Sequence, residues 1–147
     1  MLTYQKVSLF LLRMTLGWYM LYAGVPKVLN SAWSAAGYLE GAKNFAGFYD
    51  FFLTPGMLPV TNFMNAWGIT LIGVSLVLGV CVRWSSIAGI LLMVLYYFVL
   101  PFPQQDIHSY VVDSHFINAV AFFILFSFDA GRVWGLEEKV RRLFRKG

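Results

Sequence analysis

Three side chains able to hold a polar head group or move a proton fall at one predicted depth near one end of an otherwise apolar chain: Lys27, Asp113 and His115. Tyr22, His108 and Glu40 lie near the same level and are candidates to join them. An ammonium, a carboxylate and an imidazole in that place could bind the carbonyl oxygens of a quinone and relay protons during its reduction. Histidine titrates near neutral pH, and quinone reduction moves protons together with electrons. The same trio could instead satisfy itself as a Lys27–Asp113 ion pair plus a cap, because Asp113-Ser114 stands at a predicted helix start. Toward the opposite end, Arg13 is the costliest residue of the apolar interior, at about 2.5–3.5 kcal/mol for a charge at a helix centre. Asp129, at the same predicted depth, is its candidate ion partner. Arg13 reads either as half of a structural pair or headgroup contact, or as part of an anionic or quinone pocket.

Other chemistries are disfavoured by residue type and spacing. His108 and His115 are seven positions apart, which is not a haem- or metal-ligand spacing, and no metal site is expected. Cys81 is the only cysteine, so an internal disulfide is excluded and a thiolate-held cluster within one chain is not expected. No nucleotide-binding loop, nucleophile elbow or nucleic-acid-binding module is present.

These residues must be positioned by elements that the composition defines. The chain has 147 residues, of which 59% are hydrophobic and 12% charged, against about a quarter charged in soluble domains; its mean hydropathy is +0.67. Four apolar runs, about 8–29, 62–82, 85–100 and 109–128, each approach the ~20 residues that a helical span requires. The fold expected is all-α: a single polytopic membrane domain over residues 1–147, built as an antiparallel four-helix transmembrane bundle. Continuous apolar runs, without the alternation of lipid-facing strands, argue against an outer-membrane barrel. Lys6 ahead of an apolar stretch has the look of a secretory leader, but Arg13 interrupts it and no small-residue cleavage site follows, so a retained first helix is expected.

Once four spans are drawn, Lys6, Arg83, Arg132, Lys139, Arg141, Arg142, Arg145 and Lys146 fall on one side, and Lys27 and Lys43 on the other. The positive-inside rule then predicts both termini in the cytoplasm. The formal charge of +4 is concentrated in the tail over 129–147. Membrane lipids with anionic headgroups, and not nucleic acid, are its expected partner, and residues 136–145 read as a short basic amphipathic helix.

Along the first span, Arg13, Gly17, Met20, Gly24 and Lys27 recur at alternating four- and three-residue steps, a single stripe predicted to pack into the bundle. Residues 30–61 mix seven aromatic residues with Glu40, Lys43, Asn44 and Asp50. This predicts one or two interfacial helices, either covering a pocket opening or serving as an aromatic anchor. Pro55-Gly56 and Pro59 are expected to end that excursion. A tight hairpin is expected at Val82-Arg83-Trp84, and Pro101 and Pro103 mark the turn before the last span.

The residues assembled above resemble the DoxX superfamily, and more closely its DoxD-like branch. The resemblance rests on Leu11-Leu12-Arg13 with Gly24-Val25-Pro26-Lys27, and on Trp67-Gly68 followed by Leu71-Ile72-Gly73-Val74-Ser75-Leu76, Gly79 and Arg83. It continues through Leu95-Tyr96-Tyr97, Val112-Asp113-Ser114-His115, Ala130-Gly131-Arg132 and Gly135-Leu136. It implies a membrane subunit of a thiosulfate:quinone oxidoreductase type, in a bacterial or archaeal inner or plasma membrane. It also implies other membrane or redox protein subunits as partners and quinone as a non-covalent cofactor. A homo-oligomer is compatible with the same reading. Related sequences often carry a glutamate soon after the Trp-Gly pair, where this chain has Ile69-Thr70. Two functions are therefore expected to compete: a redox-complex subunit that helps pass electrons from a reduced sulfur compound to quinone, and a non-catalytic accessory or scaffold subunit of a larger membrane complex.

Overall fold

The computed structural model describes residues 1–99 and 110–137. Among them the chain is helical, in the order α1 (Thr3–Leu29), α2 (Ala36–Leu39), α3 (Ala46–Leu53), α4 (Leu58–Leu78), α5 (Val82–Val99) and α6 (Ser114–Ser127), followed by a 3₁₀ turn at Ala130–Arg132. Two of these helices, Leu58–Leu78 and Val82–Val99, are long and apolar enough to cross a membrane. At 14 residues, α6 is apolar but only about 21 Å long at ~1.5 Å per residue.

The helix limits follow from local chemistry that hydropathy alone misplaces. α1 starts where the Gln5 side chain accepts from the Leu2 backbone N–H at 2.9 Å, and it runs through Pro26 to Leu29 with Lys27 in its last turn, where a cation complements the helix dipole. Proline is tolerated in a first turn because the N–H it lacks would be unpaired there anyway. With Pro59 in its first turn, α4 therefore begins at Leu58 instead of at 62. It stops at Gly79, whose φ of +67° is the left-handed conformation that glycine adopts without a Cβ penalty. The hairpin therefore turns over residues 79–81, and the expected turn residues Val82, Arg83 and Trp84 are already the first turn of α5. Likewise α6 starts at Ser114 and not at 109, because the Asp113 side chain caps it.

The helices associate as two close antiparallel pairs. A Cβ placed on Gly17 would lie 3.0 Å from Leu76 Cβ, one on Gly73 would lie 2.7 Å from the Leu21 backbone nitrogen, and one on Gly24 would lie 2.7 Å from the Thr70 nitrogen. These contacts run in opposite directions along α1 and α4, so the α1–α4 seam is a backbone-to-backbone approach that only small residues allow. Of the predicted α1 stripe, Arg13, Gly17, Met20 and Gly24 are buried. The second pair, α5 and α6, meets where the Phe122 ring fills the space above Gly89, and Leu16, Met20, Ile69, Leu76, Phe122 and Leu125 join both pairs in one core. The connection over 30–57 folds back through α2 and α3, burying Ala35, Leu39 and Tyr49 against Val99.

Replacing Gly73 by alanine should lower stability by about 1–3 kcal/mol, the usual cost of overpacking, because its neighbour is backbone. Gly47→Ala, where an added Cβ meets nothing within 4 Å and alanine is the better helix former, should leave the thermal midpoint in detergent unchanged or raise it. Equal melting of the two variants would contradict the seam described here.

Candidate functional site

At the C-terminal end of α1, side chains from five separate segments converge. Lys27 Nζ donates to Asn65 Oδ1 of α4 at 3.1 Å and lies 4.8 Å from the Trp33 ring centroid and 5.9 Å from that of Tyr96 on α5, within range of cation–π attraction. The Tyr96 ring meets the His115 imidazole edge-on at 5.8 Å, and the Tyr96 hydroxyl is buried without a hydrogen-bond partner among the described residues. The excursion is tied to the same place: Tyr38 donates to the Tyr96 carbonyl at 3.2 Å and Tyr49 to the Leu95 carbonyl at 2.7 Å. Burial, aided by the nearby Asp113 carboxylate and by Tyr49, pushes the Tyr38 hydroxyl up to about 12. It therefore stays a donor throughout the physiological range.

Asp113 and His115 form a compact unit at the start of α6. One Asp113 oxygen accepts from the Phe116 backbone N–H at 2.8 Å, and the other lies 2.6 Å from His115 Nδ1. Burial by itself would raise the Asp113 carboxyl, but the Phe116 N–H and the contact with His115 outweigh it and hold the group below its ordinary 3.8. A depressed carboxylate contributes stability that is present above its unfolded pKa and is lost as pH falls through its folded value. Asp113→Ala should cost about 1 kcal/mol through loss of the cap. Asp113→Asn should keep most of the cap while removing this residue's contribution to acid unfolding below about pH 3.8, read from melting curves against pH. Asn and Ala variants that behave alike would show that the cap is not what Asp113 supplies.

Beside this polar cluster lies a groove of about 340 Å³ between α4 and α5, roofed by the excursion. Its walls are apolar, with Val60, Met64, Gly68, Ile72, Leu91 and Leu92 among them, and Asn65 and Tyr96 bring polar side chains to its lining. That volume is within the range of about 300–1,000 Å³ typical of small-molecule sites, which are mostly apolar with a few placed polar groups. The lining suits a lipid-soluble molecule with a small polar end.

The structure sorts the predicted residues. Lys27 and His115 both contact Tyr96, and Asp113 joins through His115. Of the alternatives open to the trio, the Lys27–Asp113 ion pair is not formed: Asp113 is taken by the cap and by His115, and Lys27 by an amide and two rings. Tyr22 is 76% exposed and Glu40 is exposed, so neither belongs to the cluster. His108 lies outside the described residues, as do the Pro101 and Pro103 turn and the basic tail over 138–147. Asn65, Tyr96, Trp33 and Tyr38 were not assigned to the site from sequence. Asn65 had a readable signal, a carboxamide within an apolar run, since polar groups in such helices face the interior.

Arg13 does not pair with Asp129. It is 1% exposed, and its guanidinium donates to the carbonyls of Ala130 at 3.0 Å, Val133 at 2.9 Å and Trp134 at 3.4 Å. Asp129 instead pairs with Arg132 at 2.8 Å. The physical reason is geometric: a planar fork of donors is matched by the converging carbonyls at the end of a 3₁₀ turn. Gly79 and Gly135 leave room for it, as a Cβ on either would fall within 3 Å of Arg13 Nη1. Arg13→Met should therefore cost about 2–4 kcal/mol by orphaning buried carbonyls, and Arg13→Lys should recover only part of this in thermal unfolding. Full recovery by lysine would mean that charge alone is required.

No curated protein and no solved structure matches the chain. A family model, DoxX, matches residues 8–101, a stretch that runs from α1 through the excursion, Asn65 and the groove to the end of α5. With apolar helices of spanning length inside that match, this is a membrane protein, and the chain belongs to the DoxX family.

Proposed function

We propose that this DoxX-family protein is a multi-pass, four-span subunit of a membrane redox assembly, of the DoxD-like kind, that binds a lipid-soluble quinone in the groove between α4 and α5. The observation that carries the reading is the groove itself. It combines apolar walls suited to a ring and its prenyl tail with the amide of Asn65 and the hydroxyl of Tyr96, beside the ammonium of Lys27. His115 and Asp113, packed against the Tyr96 ring, are the groups of this cluster whose chemistry would serve proton exchange as the quinone is reduced. Electrons come from a reduced sulfur compound through a redox-active partner, since cofactors carry such chemistry and the protein supplies binding and electrostatics. The distribution of basic residues supports cytoplasmic termini, and the resemblance supports a bacterial or archaeal inner membrane.

A second reading, a non-catalytic accessory subunit, is favoured by Ile69-Thr70 in place of the family's glutamate. Ile69 is 2% exposed within the core, and the Thr70 hydroxyl is spent on the Ala66 carbonyl at 2.8 Å.

Mild extraction followed by intact-complex mass spectrometry distinguishes the two. The redox reading expects quinone and a redox-active subunit in stoichiometric amounts, with the quinone lost in Gly68→Leu, which places a side chain in the groove. A complex that retains its subunits without quinone would overturn the redox reading in favour of the accessory one.

A further inference from the structure

The polar end of the groove has a handedness of hydrogen bonding that the volume and the apolar walls do not reveal. An ammonium offers donors only, so the contact at 3.1 Å between Lys27 Nζ and Asn65 fixes the amide with its oxygen toward Lys27. The other end of that amide, Nδ2, carries two N–H donors, of which the Tyr96 oxygen beside it can take one and the other is left for a ligand. The Tyr96 hydroxyl is buried, and its own proton has no acceptor among the described residues. The remaining polar side chains of the lining are committed elsewhere, with the Tyr49 hydroxyl on the Leu95 carbonyl at 2.7 Å and the Thr61 hydroxyl on the Met57 carbonyl at 3.0 Å. Lys27 is held in place by the faces of Trp33 and Tyr96, so the amide is not free to turn over.

We propose that Asn65, oriented by Lys27, is a donor contact that selects the oxidised, carbonyl-bearing form of the groove's ligand over its hydroxyl-bearing reduced form. This rests on reading the groove as a quinone site. A quinone oxygen accepts from Asn65 Nδ2 and from the Tyr96 hydroxyl together, and the fixed charge behind the amide strengthens the contact in a low-dielectric setting. A quinol oxygen is a poorer acceptor, and the acceptor its proton meets at the polar end is the Tyr96 oxygen, which can already take a bond from Asn65. One charge-supported hydrogen bond weakened and one acceptor contested amount to about a tenfold difference in affinity. In this assignment Asn65 is the binding residue and Lys27 a positioning residue.

The test measures the affinity of purified, detergent-solubilised protein for decylubiquinone and, under anaerobic reduction, for decylubiquinol. It uses wild type, Asn65→Leu and Lys27→Met, each first confirmed folded by its melting curve. The expected result is about tenfold tighter binding of the quinone by wild type, collapsing to within about twofold in Asn65→Leu. In Lys27→Met, where the amide is released, the preference falls while decylubiquinone still binds. Equal affinities in wild type, or a preference untouched in both variants, would overturn the inference and leave the groove reading standing. Failure of wild type to bind either form would overturn both. An ester carbonyl of a phospholipid shares the same acceptor chemistry. Displacement of decylubiquinone by phosphatidylglycerol, with the same dependence on Asn65, would overturn the assignment to a redox carrier.

Discussion

A guanidinium in an apolar interior is costly unless most of its donors are met. In this protein the acceptors for Arg13 come from residues more than a hundred positions away, the carbonyls of Ala130, Val133 and Trp134. The chain after α6 is therefore fastened beneath α1, and the Leu136 and Glu137 backbone N–H groups complete the knot by donating to the Leu78 and Gly79 carbonyls at 3.1 and 3.0 Å. The segment after α6, the Arg13 turn of α1 and the end of α4 meet at one point. Glycine is needed there at 79, 131 and 135 because side-chain and backbone atoms already occupy the space a Cβ would take.

That fastening determines what is left open at the opposite end. With α1 held tightly to α4 and α5 to α6, the two pairs touch closely through the core around Leu76 and Phe122 but separate toward the end where α4 begins and α5 finishes. The excursion covers the gap without filling it, since Tyr38 and Tyr49 spend their hydroxyls on α5 carbonyls and Asn62 accepts from the Ala35 N–H at 2.8 Å. A groove with a firm roof and apolar walls is the consequence, and its polar end is formed where α1, α4, α5 and the α6 cap meet.

Charge is handled differently at the two ends, and the difference separates scaffold from site. The two terminal nitrogens of Arg13 are met by backbone carbonyls, while its Nε is buried without a partner among the described residues. Lys27 is satisfied through an amide and two ring faces, which sets its charge against two residues of the groove's lining, Asn65 and Tyr96. Asp113 and His115 lie one ring beyond it, mutually bonded, with the carboxylate already needed by the helix it caps.

By itself, the sequence determined the helical class and the α1 stripe from Arg13 to Gly24, because small and polar residues recurring at a 3.6-residue period in an apolar run turn one face of the helix inward. It also marked the helical excursion and the level at which Lys27, Asp113 and His115 would fall. The helix ends were misplaced where a single residue overrides hydropathy: Pro59 opening α4, Gly79 turning left-handed and Asp113 capping α6. What only the tertiary structure decided is partnership. Equal depth along two helices says nothing about their rotation or which pairs adjoin, so Asp129 for Arg13 and Asp113 for Lys27 were candidates only. In the fold, Arg13 found carbonyls and Lys27 found Asn65. The groove, too, could be decided only there, because a gap between helices belongs to no stretch of chain. It arises from how tightly the other seams close.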